Sequence, residues 1–504
     1  MIDWDAARVA AAAGAKLIGG EIQGGPARAS IDSRAVQPGD LFVGLPGARF
    51  DGGFFADRAL AAGAWGVLVA PKHVAVAVAT LRDATESRLY ANGSQAGTMP
   101  LQGPVGSGVV LEHPDPLAGL QALARAWRRE LGARVVAITG STGKTSTKDI
   151  LAALLTRDLR TVASPANLNT EIGLPLAVLA APAGTEALVL EMAMRGPGQI
   201  AELAAIAEPD VGVIVNVGPV HLELLGSIEA IAAAKAELIA ALRPGASAVV
   251  PVDEPLLQAH LRAELRTITF GPQGDIELAE RRDDGEVVIR DRSGPDAGSA
   301  TGGAGPVGDV AGPVGQAGAG ATAAGHPIRL RPSFAQSHNL RNLLAAVAAA
   351  RALGLTPGGR LEVTFSALRG ERIALADEIV LINDCYNANP MSMRAALDDL
   401  AQTAPARRVA VLGDMLELGA QERALHRELA AVAERDGVEL LVAVGPLAGE
   451  TAGAFAGEAH AVPDAAAAAE LLAGVLRPRD TVLVKGSRGI GLELVAQTLA
   501  GSAG

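Results

Sequence analysis

Cysteine is almost missing: Cys385 stands alone in 504 residues, which excludes an internal disulfide and a cysteine-based zinc site. Aromatic residues are also scarce, at 3%, against Gly 60 and Pro 29. With the abundance of Ala, this looks like the codon usage of a GC-rich genome and says nothing about function. Positive charge is not in excess, since Lys plus Arg is 43, Asp plus Glu is 55 and the net charge is −12. That balance argues against a surface built to track a phosphate backbone, although a local basic pocket is compatible with it. No apolar run approaches the roughly 18 residues that hint at a membrane span. The opening Met-Ile-Asp-Trp-Asp is acidic where a signal peptide is basic. The expectation is a soluble, cytoplasmic monomer with no nucleic-acid partner and no membrane span.

What is present suffices for several cores. Apolar residues make up 49% and charged residues 19%, and at about 100–200 residues per domain the length suggests roughly three domains. One stretch cannot contribute to any of them. Residues 293–325 are nearly all Gly, Ala, Pro, Val, Ser and Thr, without Leu, Ile, aromatic, Lys or Arg. Such a segment cannot bury enough surface to offset ordering its backbone. It reads as a disordered insertion between strands at 286–290 and 327–330, and 92–108 reads as a smaller version.

The ordered remainder alternates strand with helix, the signature of sheets covered on both faces. Up to about residue 128 there are short strands and helices, with Asp32-Ser33-Arg34, a strand at 39–43 and a helix near 56–63. The run RVVAIT at 134–139 has buried-strand length and precedes a glycine turn and a helical pattern at 145–155. Strands at 187–191 and 211–217 follow. A further set, at 379–383, 409–412, 440–444 and 481–485, belongs to a separate open sheet. The fold class is α/β, with the expected domains 1–128, 129–358 and 359–504.

The turn after RVVAIT reads Gly140-Ser141-Thr142-Gly143-Lys144-Thr145-Ser146. Glycines let backbone N–H groups converge on phosphate oxygens, and the helix N-terminus adds partial positive charge. Lys144 can reach the outer phosphates and the Thr145 hydroxyl can ligate Mg²⁺. The loop is shorter than the G-x-x-x-x-G-K-[ST] pattern, because Ile138 stands where its first Gly would be. Glu191 ends one strand, and Asn216, Gly218, His221 and Glu223 follow the next, at the sheet edge where open α/β sheets bind ligands. Lys235 falls on a helix with Ile231 and Leu238 one turn away, on its apolar side. A solvated or acid-paired lysine remains the alternative there. Two decoys fail: His221-Leu222-Glu223 lacks the second His of a metalloprotease helix, and Gly486-Ser487-Arg488-Gly489-Ile490-Gly491 has the wrong order for a dinucleotide fingerprint. The latter suits a substrate-facing anion loop better.

The blocks TGSTGKTSTKD, NLNTEIGLPL, VLEMAMRGPGQI, NVGPVHLELLGSIEAIAAAKAEL, HNLRN, GER, NDCYNANPMSM, GDMLELG and KGSRG occur in the order found in the Mur ligases. The chain resembles that family along nearly its whole length, and DCYNANPMSM resembles the members that append D-alanyl-D-alanine. The resemblance implies a three-domain Mur ligase fold: an N-terminal domain for the UDP substrate, a central P-loop parallel-sheet domain and a C-terminal Rossmann-like domain. It implies an ATP-dependent amide synthesis on UDP-MurNAc-tripeptide through an acyl phosphate, in peptidoglycan precursor synthesis. In that scheme Lys144 holds the migrating phosphoryl group, Thr145 and Glu191 hold one Mg²⁺, and His221 with a carbamylated Lys235 holds a second. Asn339 reads adenine, Arg372 swings onto the γ-phosphate, Asp384 takes the ribose hydroxyls, and Tyr386 and Asn387 lie beside the nucleotide. Ser33 and Arg34 receive the uridine diphosphate end, and Asn167 and Asn169 fall in the acceptor block. The sequence departs from the family's usual pattern at Ala193, at Gln199 and at Gly53, where a His is usual. A sister ligase adding another amino acid, and a P-loop switch that binds ATP without amide synthesis, stay open as alternatives.

Overall fold

A computed structural model describes residues 1, 3–19, 22–92, 108–165, 167–294 and 326–501. Most of the two expected insertions, 93–107 and 295–325, lies outside the described residues. The chain divides into two compact units: Met1–Ala137 with Leu155–Met194 and Gly198–Asp210, and Ile138–Leu154 with Arg195–Pro197 and Val211–Gly504.

The first unit contains a five-stranded sheet in the order Lys16–Gly19, Val109–Glu112, Gly66–Val69, Leu41–Val43, Ala29–Ser30. Only the Lys16–Gly19 edge runs antiparallel to its neighbour. Phe42, Val67, Val69 and Val110 pack with Ala56 and Ala59 of the following helix, and so form one of its cores. The helix Pro116–Leu131 begins where Asp115 accepts from the Leu117 and Ala118 amides, with Pro116 in the first helical position, and stops at Gly132 in a left-handed conformation. Its Trp127 donates to the Ala181 carbonyl at 3.0 Å. In the same unit the strands Thr161–Ala163 and Ala187–Glu191 lie parallel.

The second unit starts inside the strand Arg134–Thr139, whose last two residues lead into the phosphate loop and the helix Lys144–Leu155. Here Val211–Ile214, Ser247–Pro251, Arg266–Phe270 and Ile276–Arg281 are parallel neighbours in turn. Beyond that point the sheet is mixed rather than wholly parallel, with Gly359–Leu361 again parallel to His326–Pro332 at the far edge. Ile276–Arg281 and Val287–Asp291 form an antiparallel hairpin, and His326–Pro332 adds antiparallel to it. The cause is local: the short Asp283-Asp284-Gly285 connection, with Gly285 at φ 82, returns the chain directly and leaves no room for a crossover helix. Past Asp291, Ser293 donates its amide to the Asp291 carboxylate at 2.9 Å and its carbonyl accepts from Arg266 at 2.7 Å. Ser293 and Gly294, expected inside the insertion, are therefore part of the described chain, and the rest of that expectation lies outside the described residues. The strand expected at 211–217 ends at Ile214, because the chain leaves the regular ladder to wrap the phosphate loop.

The second unit also holds a six-stranded sheet, ordered Glu371–Ala374, Val380–Asn383, Thr481–Lys485, Arg408–Gly413, Leu440–Val444, Glu458–Val462. All neighbours are parallel except the Glu371–Ala374 edge. Alternation of side chains explains its helices on both faces. Val409, Val411, Val442 and Val484 join one core, while Ala410, Leu412, Leu441 and Leu483 join the other. The block NANPMS is itself a helix start: Asn389 and Ser392 cap each other reciprocally, and Pro390 opens the helix Pro390–Thr403.

Candidate active site

The phosphate loop is shaped by one asparagine. Asn216 Oδ1 accepts from the amides of Ser141 at 3.0 Å and Thr142 at 2.9 Å, and its Nδ2 donates to the Thr142 hydroxyl at 3.0 Å. Ser141 Oγ donates to the Gly218 carbonyl at 3.0 Å and accepts the Gly218 amide at 2.8 Å. Gly143 adopts φ +74, and a Cβ there would lie 2.4 Å from Asn342 Oδ1. Glycine is required twice over at this position, by conformation and by space. Lys144 Nζ folds back onto the Gly140 carbonyl at 2.8 Å, and Thr145 is buried in the first turn of the helix beside Ser146. A loop this constrained is a preformed anion cradle.

His221 and Lys235 share this unit. Lys235 is 2% exposed, among the largest fully buried side chains of the protein. Burial, followed by the charge of Lys144, pushes its ammonium well below the usual lysine range. A neutral buried amine fits addition of CO₂, which converts it to an oxygen donor of the kind Mg²⁺ takes. His221 hydrogen-bonds through Nδ1 to Glu417, a residue of the GDMLELG block. Burial lowers its pKa against the opposing pull of Glu417, with Lys144 and Lys235 lowering it further.

The candidates for the nucleoside lie on the Ser337–Ala352 helix and the six-stranded sheet. Asn339 is buried in the first turn of its helix and accepts from Asn342 Nδ2 at 3.3 Å. Arg372 donates to Asp399 at 3.0 Å and to the Thr403 hydroxyl at 2.9 Å, so in this form its guanidinium is held by the Pro390–Thr403 helix. Burial raises the Asp399 pKa despite that arginine. Asp384 takes a 2.7 Å ion pair from Lys485, which also donates to the Asn387 carbonyl at 2.9 Å. The Tyr386 ring carries the Arg369 guanidinium at 4.0 Å and that of Arg488 at 5.4 Å from its centroid. Helix Lys144–Leu155 is tied to this part of the chain, since Asp149 accepts from the Ser366 amide at 2.8 Å.

The first unit carries the remaining candidates. Arg34 forms a bidentate pair with Asp32, at 2.9 and 2.8 Å, and draws its carboxyl down to about 2; Ser33 lies between them. Asn169 donates to Glu191 Oε1 at 2.8 Å, and Ser164 Oγ accepts the Glu191 amide at 3.1 Å. Asn169 thus orients the proposed metal carboxylate, whereas Asn167 lies exposed in the preceding turn. Sequence reasoning did not assign Asn342, Asp399, Glu417 or Lys485. The i, i+3 spacing of Asn339 and Asn342 in HNLRN was the one local signal; the others meet their partners only through the fold. Among the described residues, no group of three or more His, Cys, Asp or Glu gathers as a metal cluster. The hydroxyl of Thr145, the carboxylate of Glu191 and the imidazole of His221 are nonetheless donors a divalent cation accepts.

Three Mur ligase family descriptions match the chain: "Mur ligase family, catalytic domain" over 28–94, "Mur ligase middle domain" over 138–297, and "Mur ligase, glutamate ligase domain" over 368–488. A UDP-N-acetylmuramoyl-tripeptide–D-alanyl-D-alanine ligase of Mycobacterium leprae is 36% identical over 546 aligned positions, covering 99% of each chain. The crystal structure of MurF from Acinetobacter baumannii is similar at a TM-score of 0.76 and 25% identity, over 99% of each chain. MurF ligase from Thermotoga maritima in complex with ADP is similar at 0.71 and 27% identity, over 94% of this chain and 97% of that one.

Proposed function

The chain belongs to the Mur ligase family, and on that premise we propose that it is the ATP-dependent ligase joining D-alanyl-D-alanine to UDP-MurNAc-tripeptide in peptidoglycan precursor synthesis. What supports this reading is the likeness to a D-alanyl-D-alanine ligase over 99% of the chain, together with the preformed phosphate loop and a fully buried Lys235 in the same unit. The terminal carboxylate of the UDP substrate attacks the γ-phosphorus of ATP, giving an acyl phosphate and ADP. The amine of D-Ala-D-Ala then adds to the acyl carbon, and the tetrahedral adduct expels inorganic phosphate as the amide forms. Charge migrates without a protein nucleophile, so the work is positioning and electrostatic stabilisation.

In this reading the loop amides of 140–146 and Lys144 hold the phosphoryl oxygens through transfer. Thr145 with Glu191, and His221 with a carbamylated Lys235, would hold Mg²⁺, which offsets the charge developing on the transferred group. Asn339 faces adenine, Asp384 the ribose, and Tyr386 and Asn387 flank the nucleotide. Arg372 reaches the γ-phosphate after leaving Asp399. Ser33 and Arg34 take the uridine diphosphate end, and Asn167 with Asn169 the acceptor side. The enzyme acts in the cytoplasm as a monomer, with domains 1–128, 129–358 and 359–504. Phosphate release measured with UDP-MurNAc-tripeptide, ATP, Mg²⁺ and one amine at a time tests it. Turnover should require D-Ala-D-Ala; turnover with diaminopimelate, lysine or glutamate in its place would refute the assignment.

A further inference from the structure

Glu417 lies far from the phosphate loop in sequence, yet its carboxylate is the partner of His221 Nδ1. The contact joins two strained backbones. His221 has φ 54 and Glu417 φ 65, both left-handed conformations that cost a non-glycine residue about 1–2 kcal/mol. Such outliers persist where the surroundings over-determine them, and they gather at functional sites.

The surroundings of Glu417 do over-determine it. The preceding Met415 is fully buried and gives its amide to His426 Nε2 at 2.9 Å. Leu416 donates its amide to Ser487 Oγ at 3.0 Å, and Asp414 accepts from the Ala448 amide at 2.6 Å. Leu418 on the other side is 1% exposed. The two segments also touch through the main chain. The Glu223 amide approaches the Glu417 carbonyl at 3.4 Å, and a Cβ on Gly419, at φ +61, would lie 3.2 Å from Glu223 Cα. Arg195 stands 3.9 Å from the second carboxylate oxygen. The backbone that carries Glu417 is thus fixed from both sides, and its carboxylate, 38% exposed, is aimed at His221 with Arg195 as its second neighbour.

Its effect on the imidazole follows from donor inventory. A carboxylate oxygen facing Nδ1 suits a ring that carries its proton on that nitrogen and leaves the Nε2 lone pair available. We propose that Glu417 is a positioning residue for His221, fixing the ring and its Nδ1–H tautomer so that Nε2 is presented to a divalent cation at the phosphate loop. This rests on the reading of His221 as a metal-facing residue and gives the GDMLELG block a task. A carboxylate behind a metal-bound histidine raises ligand basicity and removes the entropy of ring rotation.

The full-length protein is labelled with ¹⁵N-histidine, and Mn²⁺ binding in the presence of ADP is titrated by EPR. The wild type should show His221 in the Nδ1–H tautomer. Glu417→Ala should mix the tautomers and weaken Mn²⁺ binding by about 10–100-fold, with KM for the UDP substrate unmoved. Glu417→Gln, whose amide oxygen still accepts, should recover affinity to within about threefold of wild type on the same argument. An Nε2–H tautomer in the wild type overturns the proposal however the variants fold. So does an Ala variant that binds Mn²⁺ as tightly as the wild type while His221→Ala does not. If His221→Ala itself binds Mn²⁺ normally, the metal role of His221 falls, and this proposal with it.

Discussion

Gly143→Ala is the sharpest perturbation the phosphate loop offers. The backbone sits at φ +74, so an alanine there costs about 1–2 kcal/mol before anything is touched. The new methyl would also stand 2.4 Å from Asn342 Oδ1. Asn342 is 5% exposed and donates to Asn339 at 3.3 Å, so its amide must turn away and lose that bond. Leaving a buried amide unpaired costs about 1–3 kcal/mol. Together the penalties reach roughly 2–5 kcal/mol, to be met by distorting the loop rather than unfolding the unit. A displacement of about 1 Å at a reacting group is worth about 10²-fold in rate. Phosphate release should therefore fall by at least that factor, with ADP affinity falling in parallel by calorimetry. Gly143→Ala with Asn342→Ala removes the clash but not the conformational cost, so the double variant should recover part of the lost affinity. A single variant with wild-type turnover, or a double variant no better than the single, would refute the reasoning.

Lys235→Ala should lose most activity, and formate or acetate should restore part of it in the phosphate-release assay by filling the vacated oxygen position; an active, unrescued Ala variant would end the carbamate reading. Deleting 295–325 and joining Gly294 to His326 through a two-residue turn should leave turnover and the thermal midpoint nearly unchanged, because the Asp291–His326 register already closes the ladder; a large loss of catalysis would show that the segment has a role in the reaction. Burial pushes the Cys385 thiol up to about 12, so iodoacetamide at pH 8 should label it only in denaturant. The same shift means that the folded state keeps a proton the unfolded chain gives up, so stability falls between about pH 9 and 12; a stability profile flat across that window in the wild type and sloping in Cys385→Ala would contradict it.

Much of the fold was legible because it depends on local pattern. The strands at 134–139, 187–191, 440–444 and 481–485 have their expected bounds, since short, mostly apolar runs of buried-strand length leave little choice. The strands Ser247–Pro251 and Arg266–Phe270 were passed over, although SAVVP and RTITF carry similar composition, because neither adjoins a motif. The phosphate loop declared itself through glycines and Lys144, but Asn216 as its clasp did not, since an asparagine after a strand has many uses. Pairings that depend on distant chain, such as Arg372 with Asp399 and His221 with Glu417, have no local signature at all. A titrating group announces its type in sequence but not its partner.

Asn216 also ties two functions into one lever. The amide side chain that fastens Ser141 and Thr142 belongs to the same short run of chain as Gly218 and His221. A phosphate pressing on the loop therefore pushes, through a few stiff hydrogen bonds, on the segment that carries the imidazole. Occupancy of one place becomes tension in the other, and neither can drift while its neighbour stays still. A substitution that retunes the grip of Asn216 on the loop therefore also acts on the segment that carries the histidine.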